Sequence, residues 1–341
     1  MSLSVSSRLT DGSPPATMAT MRAVRFHRSG GPEVLVLDDV PRPDPGPGEI
    51  RVRIAHAGVN FVDAYLRSGS YDPGPLPATA GKEGAGRVDA IGTGVEGVSE
   101  GDQVAFFDAK GAYAEWVVIP AARAIAVPPA IDDSQAAALP LQGMTARYLT
   151  HEIRPLTAGD TVLVHAAAGG VGHLAVQMAK RAGAIVFATC STEEKAARVR
   201  GLGADHVIRY DEADFADRVL ELTGGRGVDV AIDGVGKATF ERSVRATRVR
   251  GHVILFGQAS GEPDPIRPRR LLGSRTLTTA SLFDYARTRE GLLALSGPVF
   301  AAAAEGSLTA WIDRVLPLED APLAHELLEG RRTAGKLLLA P

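Results

Sequence analysis

At 341 residues the chain is too long for one typical compact core and suits two domains. Its 45% hydrophobic and 23% charged residues are ordinary for a soluble globular protein, and a net charge of −3, with arginines interleaved among acids, gives no footing for nucleic acid or an anionic membrane. No apolar run approaches the ~20 residues of a membrane span, and the single cysteine, Cys190, excludes an intrachain disulfide or a cysteine-based zinc cluster and fits a reducing cytoplasm.

Residues 1–20 are rich in Ser, Thr, Pro and Ala and lack the long apolar segment of a secretory signal. They read as a flexible N-terminal extension, with Met18 and Met21 as candidate natural starts. From Met21 to about Val127, short strand-like runs are broken by Gly and Pro. Glu49-Ile50-Arg51-Val52-Arg53-Ile54 alternates polar and apolar residues as a half-buried strand should; Gly84–Val88, Asp102–Phe106 and Tyr113–Val118 add further strands. This density of short strands predicts a compact barrel-like domain.

From Thr161 the rhythm changes. Thr161–Ala167, Ile185–Cys190, His206–Tyr210, Val228–Gly234, His252–Gly257 and Thr276–Leu282 read as strands, with helical stretches between the first five. In the first helix Val171, Leu174, Ala175, Met178, Ala179 and Ala182 fall on one buried face. Alternating strands and helices require parallel strands with right-handed crossovers, so an α/β doubly wound domain is expected. After Tyr285 an alanine-rich helix and a strand–helix–strand ending (Val315–Leu318, Pro322–Arg331, Lys336–Leu339) are expected to return to the first domain.

Between the first strand and helix lies His165-Ala166-Ala167-Ala168-Gly169-Gly170-Val171-Gly172. Ala167-x-Gly169-x-x-Gly172 reads as a dinucleotide fingerprint with alanine in its first place. Gly169 has no side chain to hold a pyrophosphate off the backbone, and Gly172 lets the helix press on the strand. Such turns also occur in plain α/β packing; the flanking strand and helix carry the reading. The second strand ends in Thr189-Cys190-Ser191, without the acid that holds the ribose hydroxyls of NAD. That admits NADP, with Ser191 donating to a 2′-phosphate and Lys195 bringing charge to it. Ser191-Thr192-Glu193-Glu194 is equally a capping box, with Lys195 on a solvated face. Tyr210, ending the third strand, can lie against the adenosine edge or simply pack.

On these features, together with Gly30-Gly31-Pro32-Glu33-Val34-Leu35, Gly58-Val59-Asn60-Phe61-Val62-Asp63-Ala64-Tyr65 and Phe256-Gly257, the chain closely resembles the zinc-independent quinone oxidoreductase (zeta-crystallin-like) branch of the medium-chain dehydrogenase/reductase superfamily, from about Met21 to the C-terminus. The resemblance implies a GroES-like β-barrel catalytic domain (residues 21–146 and, after the return, 284–341) and an NADPH-binding Rossmann domain (residues 147–283). It also implies NADPH as cofactor and a homodimer or homotetramer. The exposed edge of the sixth strand offers a pairing surface.

Zinc dehydrogenases of the superfamily carry a Cys where this chain reads Gly58-Val59-Asn60, and Gly-His-Glu where it reads Gly81-Lys82-Glu83. Neither that site nor the four-cysteine lobe is expected here, so no Lewis acid is expected either. What remains is hydride transfer to a small molecule that is already electrophilic, a quinone or another activated carbonyl. Asn60 and Tyr65 are the candidate catalytic residues, offering a hydrogen bond or proton; by resemblance, Asn60 contacts the nicotinamide end, Tyr65 lines the substrate pocket, and Thr145 lies near the nicotinamide ribose and phosphate. Gly257 and Gln258 are expected beside the ribose and nicotinamide. As local structure, Asn60 would cap a short helix, Phe61–Arg67, with Tyr65 packed beneath it. The family often has Gly at Ser191, and an Arg–Pro pair where this chain has Thr279-Ala280. Reduction of the C=C bond of enones or enoyl thioesters, or a cofactor-binding redox sensor with little turnover, are the rival functions.

Overall fold

A computed structural model describes residues 19–341; the flexible extension expected over 1–20 lies, but for its last two residues, outside the described residues, as does Met18. The first part of the chain forms β1 (Thr20–Phe26), β2 (Leu35–Pro41), β3 (Glu49–Val59), α1 (Phe61–Ser68), β4 (Ala78–Thr79), β5 (Glu83–Ile91), β6 (Gln103–Phe107), β7 (Trp116–Pro120), β8 (Ala124–Ala126), α2 (Asp133–Ala138) and α3 (Pro140–His151). The second forms β9 (Thr161–Val164), α4 (Gly170–Arg181), β10 (Ile185–Cys190), α5 (Glu193–Gly201), β11 (His206–Arg209), α6 (Phe215–Leu222), β12 (Val228–Asp233), α7 (Phe240–Ala246), β13 (Thr247–Leu255), α8 (Pro268–Leu272) and β14 (Thr276–Thr279). The tail adds α9 (Leu282–Tyr285), α10 (Arg289–Ala304), β15 (Ile312–Pro317), α11 (Ala321–Glu329) and β16 (Lys336–Ala340).

The second part is a six-stranded sheet in the order β11-β10-β9-β12-β13-β14, every neighbouring pair parallel. Its apolar strands are buried on both faces. Val162, Val164, Val230 and Ile232 pack toward α3 and α4, while the alternate residues Leu163 and Ala231 pack toward α6 and α7. Strand order reverses between β9 and β12, so a crevice opens at their carboxyl ends, where open α/β sheets take ligands. The first strand ends at Val164, short of Ala167, because the chain turns into a left-handed conformation at Ala166 (φ 47°).

In the first part β3 is the organising strand, pairing antiparallel with β5, β7 and β16. It runs five residues beyond the alternating segment that predicts it, since the small apolar residues Ala57, Gly58 and Val59 pair with the C-terminal strand β16. That extension delivers Asn60 and α1 to the crevice. In the tail, β15 and β16 join the sheet of β3, and α10 packs on α3. Among the described residues no helix is long and apolar enough to cross a membrane.

Candidate active site

The crevice is one continuous cavity of about 480 Å³, within the range of small-molecule and cofactor sites. Its floor is the turn after β9. The first residues of α4 have no side-chain cap: the N-cap is Gly169, so the helix presents free N–H groups to the cavity. A Cβ at Gly172 would lie 2.3 Å from the Ala166 carbonyl oxygen, so only glycine allows the helix this approach. A Cβ at Gly170 would sit 2.2 Å from Gln142 Nε2 on α3, whereas Gly169 meets only the Ala166 oxygen, at 3.1 Å. Ala168, Gly169, Gly170, Val171 and Gly172 all line the cavity. His173, one residue on, is fully buried; its Nδ1 contacts the Gly169 carbonyl (2.8 Å) and its Nε2 accepts from the Trp311 N–H (2.9 Å).

At one end lie Ser191, Lys195 and Tyr210, the last 42% exposed. The helix cap falls one residue later than the predicted capping box: Thr192, not Ser191, caps α5, accepting from the Lys195 N–H (3.3 Å). Ser191 is thereby left facing the cavity. The Lys195 ammonium donates to the Arg331 carbonyl (2.9 Å), and burial draws its pKa below the ordinary lysine value, against the pull of Asp313. Arg331 and Thr333 also line this end. Neither was singled out from the sequence, because only the return of the tail brings them here.

At the other end α1 supplies Phe61, Val62 and Tyr65, joined by Tyr71, Phe107 and Phe283. The Tyr65 and Tyr71 rings are 5.1 Å apart, those of Phe107 and Phe283 5.0 Å. Burial pushes the Tyr65 hydroxyl up to about 12 although the Gln258 backbone bonds it, so it stays protonated. Gly257 lines the cavity with Phe256 and Ala259; Gln258 contributes its backbone beside Tyr65 rather than a lining side chain. Thr145, on the cavity wall, is buried on α3.

Asn60 is the N-cap residue of α1, its own N–H donating to Asp63 Oδ2 (2.9 Å). Its side chain is 3% exposed and turned into a buried polar cluster. Asn60 Oδ1 accepts from Lys336 Nζ (2.8 Å) and Gln142 Nε2 (3.3 Å), and Nδ2 donates to Glu83 Oε2 (2.8 Å) and the Gly58 carbonyl (3.3 Å). Lys336 and Glu83 form a fully buried ion pair at 2.5 Å, and Glu83 also accepts from the Leu141 N–H. Such a pair is tolerated only with further hydrogen bonds, here from Asn60 Nδ2 and the Leu141 N–H to Glu83 and from Lys336 Nζ to Asn60 Oδ1. Lys82 points elsewhere, to Asp108 (3.3 Å). Among the described residues no three His, Cys, Asp or Glu side chains converge on a common point.

Residues 46–129 match the alcohol dehydrogenase GroES-like domain, and residues 170–296 match a family described as zinc-binding dehydrogenase. A 2-haloacrylate reductase from a Burkholderia species is 41% identical over 94% of this chain and 98% of its own. Quinone oxidoreductase 1 of Escherichia coli is 41% identical over 93% of this chain and 99% of its own. The structure of the Escherichia coli quinone oxidoreductase complexed with NADPH superposes with a TM-score of 0.91 at 40% identity, covering 94% of this chain and 100% of that one. A mycobacterial protein complexed with NADPH gives the same TM-score at 43% identity, again over 94% of this chain and 100% of that one.

Proposed function

Because the chain belongs to the quinone oxidoreductase branch of the medium-chain dehydrogenase/reductase superfamily and is an oxidoreductase, we propose that it reduces quinones with NADPH, by hydride transfer and without zinc. The observation that carries this reading is the single cavity running from Lys195 and Arg331, over the uncapped start of α4, to the aromatic end at Tyr65. Its parts fit the cofactor: cations at the adenosine end, free N–H groups where a pyrophosphate would lie, and a flat aromatic lining beyond. When bound, NADPH would supply the hydride. Residues 147–283 would hold most of it, joined by Arg331 from the tail, and 21–146 with 284–341 would present the substrate.

The chemistry of the donor set supports a metal-free reaction. Asn60 and Lys82 stand where zinc ligands would be required, and the Lys336 ammonium already holds Glu83 and Asn60 Oδ1. A divalent cation there would have to displace one buried positive charge and find no thiolate or imidazole. The match to a zinc-binding dehydrogenase family covers residues 170–296, which include neither Asn60 nor Lys82. The protein must therefore orient rather than polarise: the rings of Phe61, Tyr65 and Tyr71 align a flat acceptor, and the protonated Tyr65 hydroxyl offers it a hydrogen bond. Asn60 shapes the wall at this end, and solvent supplies the proton that completes a hydroquinone.

The lining also favours a neutral acceptor. Phe61, Val62, Tyr65, Tyr71, Phe107 and Phe283 bring no cation to the substrate end, so a carboxylate such as a haloacrylate would be desolvated there without a partner. A neutral quinone carries no such penalty. A neutral enone shares that advantage and is the second reading. NADPH oxidation followed with 1,4-benzoquinone, 9,10-phenanthrenequinone, 2-chloroacrylate and a 2-enoyl thioester of coenzyme A tests this. Turnover of the two quinones, unaffected by exhaustive chelation, is expected; turnover of the thioester or the haloacrylate alone refutes it. A cytoplasmic homodimer or homotetramer paired through β14 completes the proposal.

A further inference from the structure

The buried cluster behind Asn60 fixes the orientation of two amides. An ammonium only donates, so the Asn60 atom 2.8 Å from Lys336 Nζ is oxygen; a carboxylate only accepts, so the atom facing Glu83 is nitrogen. The two constraints agree. With Asn60 Oδ1 so placed, the Gln142 atom 3.3 Å from it must be the amide nitrogen. Gln142 Oε1 is therefore forced to the opposite side, where among the described residues it has no hydrogen-bond donor although the residue is only 7% exposed. Buried acceptors are almost always satisfied. Both Gln142 and Gly170 line the cavity, and the amide lies flat against Gly170, where a Cβ would come within 2.3 Å of Oε1. Thr145 stands one helical turn further along α3.

We propose that Gln142 Oε1 is the acceptor for a hydroxyl of the ribose on the nicotinamide side of the cofactor, held in that orientation by Lys336 through Asn60. The placement follows from the chain itself: Oε1 lies between the turn that would take the pyrophosphate and Asn60 at the reactive end. The inference rests on the NADPH reading above and goes beyond it. Gln142 is a binding residue; Lys336 and Glu83 are positioning residues, since they act only through Asn60.

The test is calorimetric titration of wild type and Gln142→Met with NADPH and with adenosine 2′,5′-bisphosphate, which lacks the ribose in question. Loss of one hydrogen bond should raise the Kd for NADPH roughly tenfold and leave that for the bisphosphate unchanged. Equal weakening of both ligands, or no weakening of NADPH, overturns the assignment. Should the variant not fold, wild type is titrated with NADP⁺ and with an analogue whose nicotinamide-side ribose lacks both hydroxyls. A roughly tenfold preference for NADP⁺ supports the assignment, and equal affinity overturns it. Wild type that binds neither NADPH nor the bisphosphate overturns the cofactor reading itself, a failure distinct from the others.

Discussion

Lys195 and Arg331 meet at one end of the cavity, and each reaches it by a different route. Lys195 is placed by local structure, on the first turn of the helix that follows β10; Arg331 is held 136 positions away in sequence, with Lys195 Nζ on its carbonyl at 2.9 Å. A lysine whose pKa burial has lowered gains most from a nearby anion. Lys195→Ala should therefore raise the Kd for NADPH by roughly 10–100-fold, the range for hydrogen bonds to charged groups. The Kd for NADH, which lacks the extra phosphate, should change by less than about twofold. Equal losses for the two cofactors, measured by titration, refute a phosphate contact. The same contrast explains what could be read from the chain alone. Lys195, Ser191 and the glycines sit at fixed intervals from strand ends, and a sequence displays intervals. Arg331, Gln142 and Lys336 acquire their places only by tertiary contact, and nothing in their own neighbourhoods announces it.

At the scale of elements, the start of α5 separates two tasks that the sequence places one residue apart. Thr192 accepts the Lys195 N–H and caps the helix, while Ser191 lines the cavity. Thr192→Ala should cost about 1 kcal/mol of stability, seen as a lower urea midpoint, with little effect on cofactor affinity. Ser191→Ala should leave the midpoint unchanged and weaken NADPH. The reverse pattern would return the cap to Ser191 and remove it from the site. The parallel strands β9, β10, β12 and β13 are legible because each carries an apolar run closed by a turn residue, and Ile185–Cys190 runs between the expected residues. Where the sequence misleads, competition between neighbouring elements is the cause. β14 stops at Thr279 rather than Leu282 because Ser281 opens α9. β3 runs past Ile54 because its partner, β16, lies at the far end of the chain. The register of those two strands is what delivers Asn60 to the cavity, and periodicity carries no trace of it.

Buried neutral histidines tie the tail to the glycine turn and to the first domain, and that makes the stability of the whole molecule depend on pH. His173 links the glycine turn to the tail: Nδ1 meets the Gly169 carbonyl, Nε2 accepts from Trp311, and the ring stacks on the Trp311 indole at 5.2 Å. Burial, reinforced by the Lys336 charge, holds it down at about 4. His325 packs α11 against the first domain; Nδ1 accepts from Arg67 (3.0 Å), which fixes the proton on Nε2 beside Tyr113 (3.2 Å), and burial holds this ring at about 3. An unfolded histidine titrates near 6.5. The unfolded chain thus binds more protons between roughly pH 6.5 and 4, and stability rises with pH across that window, being complete above it. Buried Asp63 opposes this, because burial raises its carboxyl to about 7: its contribution is present below the unfolded value and lost as pH rises through 7. His151, held at about 4 mainly by burial, adds to the histidine side, so the histidines prevail. Urea midpoints between pH 4.5 and 7.5 should accordingly fall on acidification. His173→Gln should flatten that fall by removing one of the protons taken up, and Asp63→Asn should steepen it by removing the opposing group. A profile with no slope, or a slope unchanged in His173→Gln, would mean that the link between the glycine turn and the tail does not rest on a neutral imidazole.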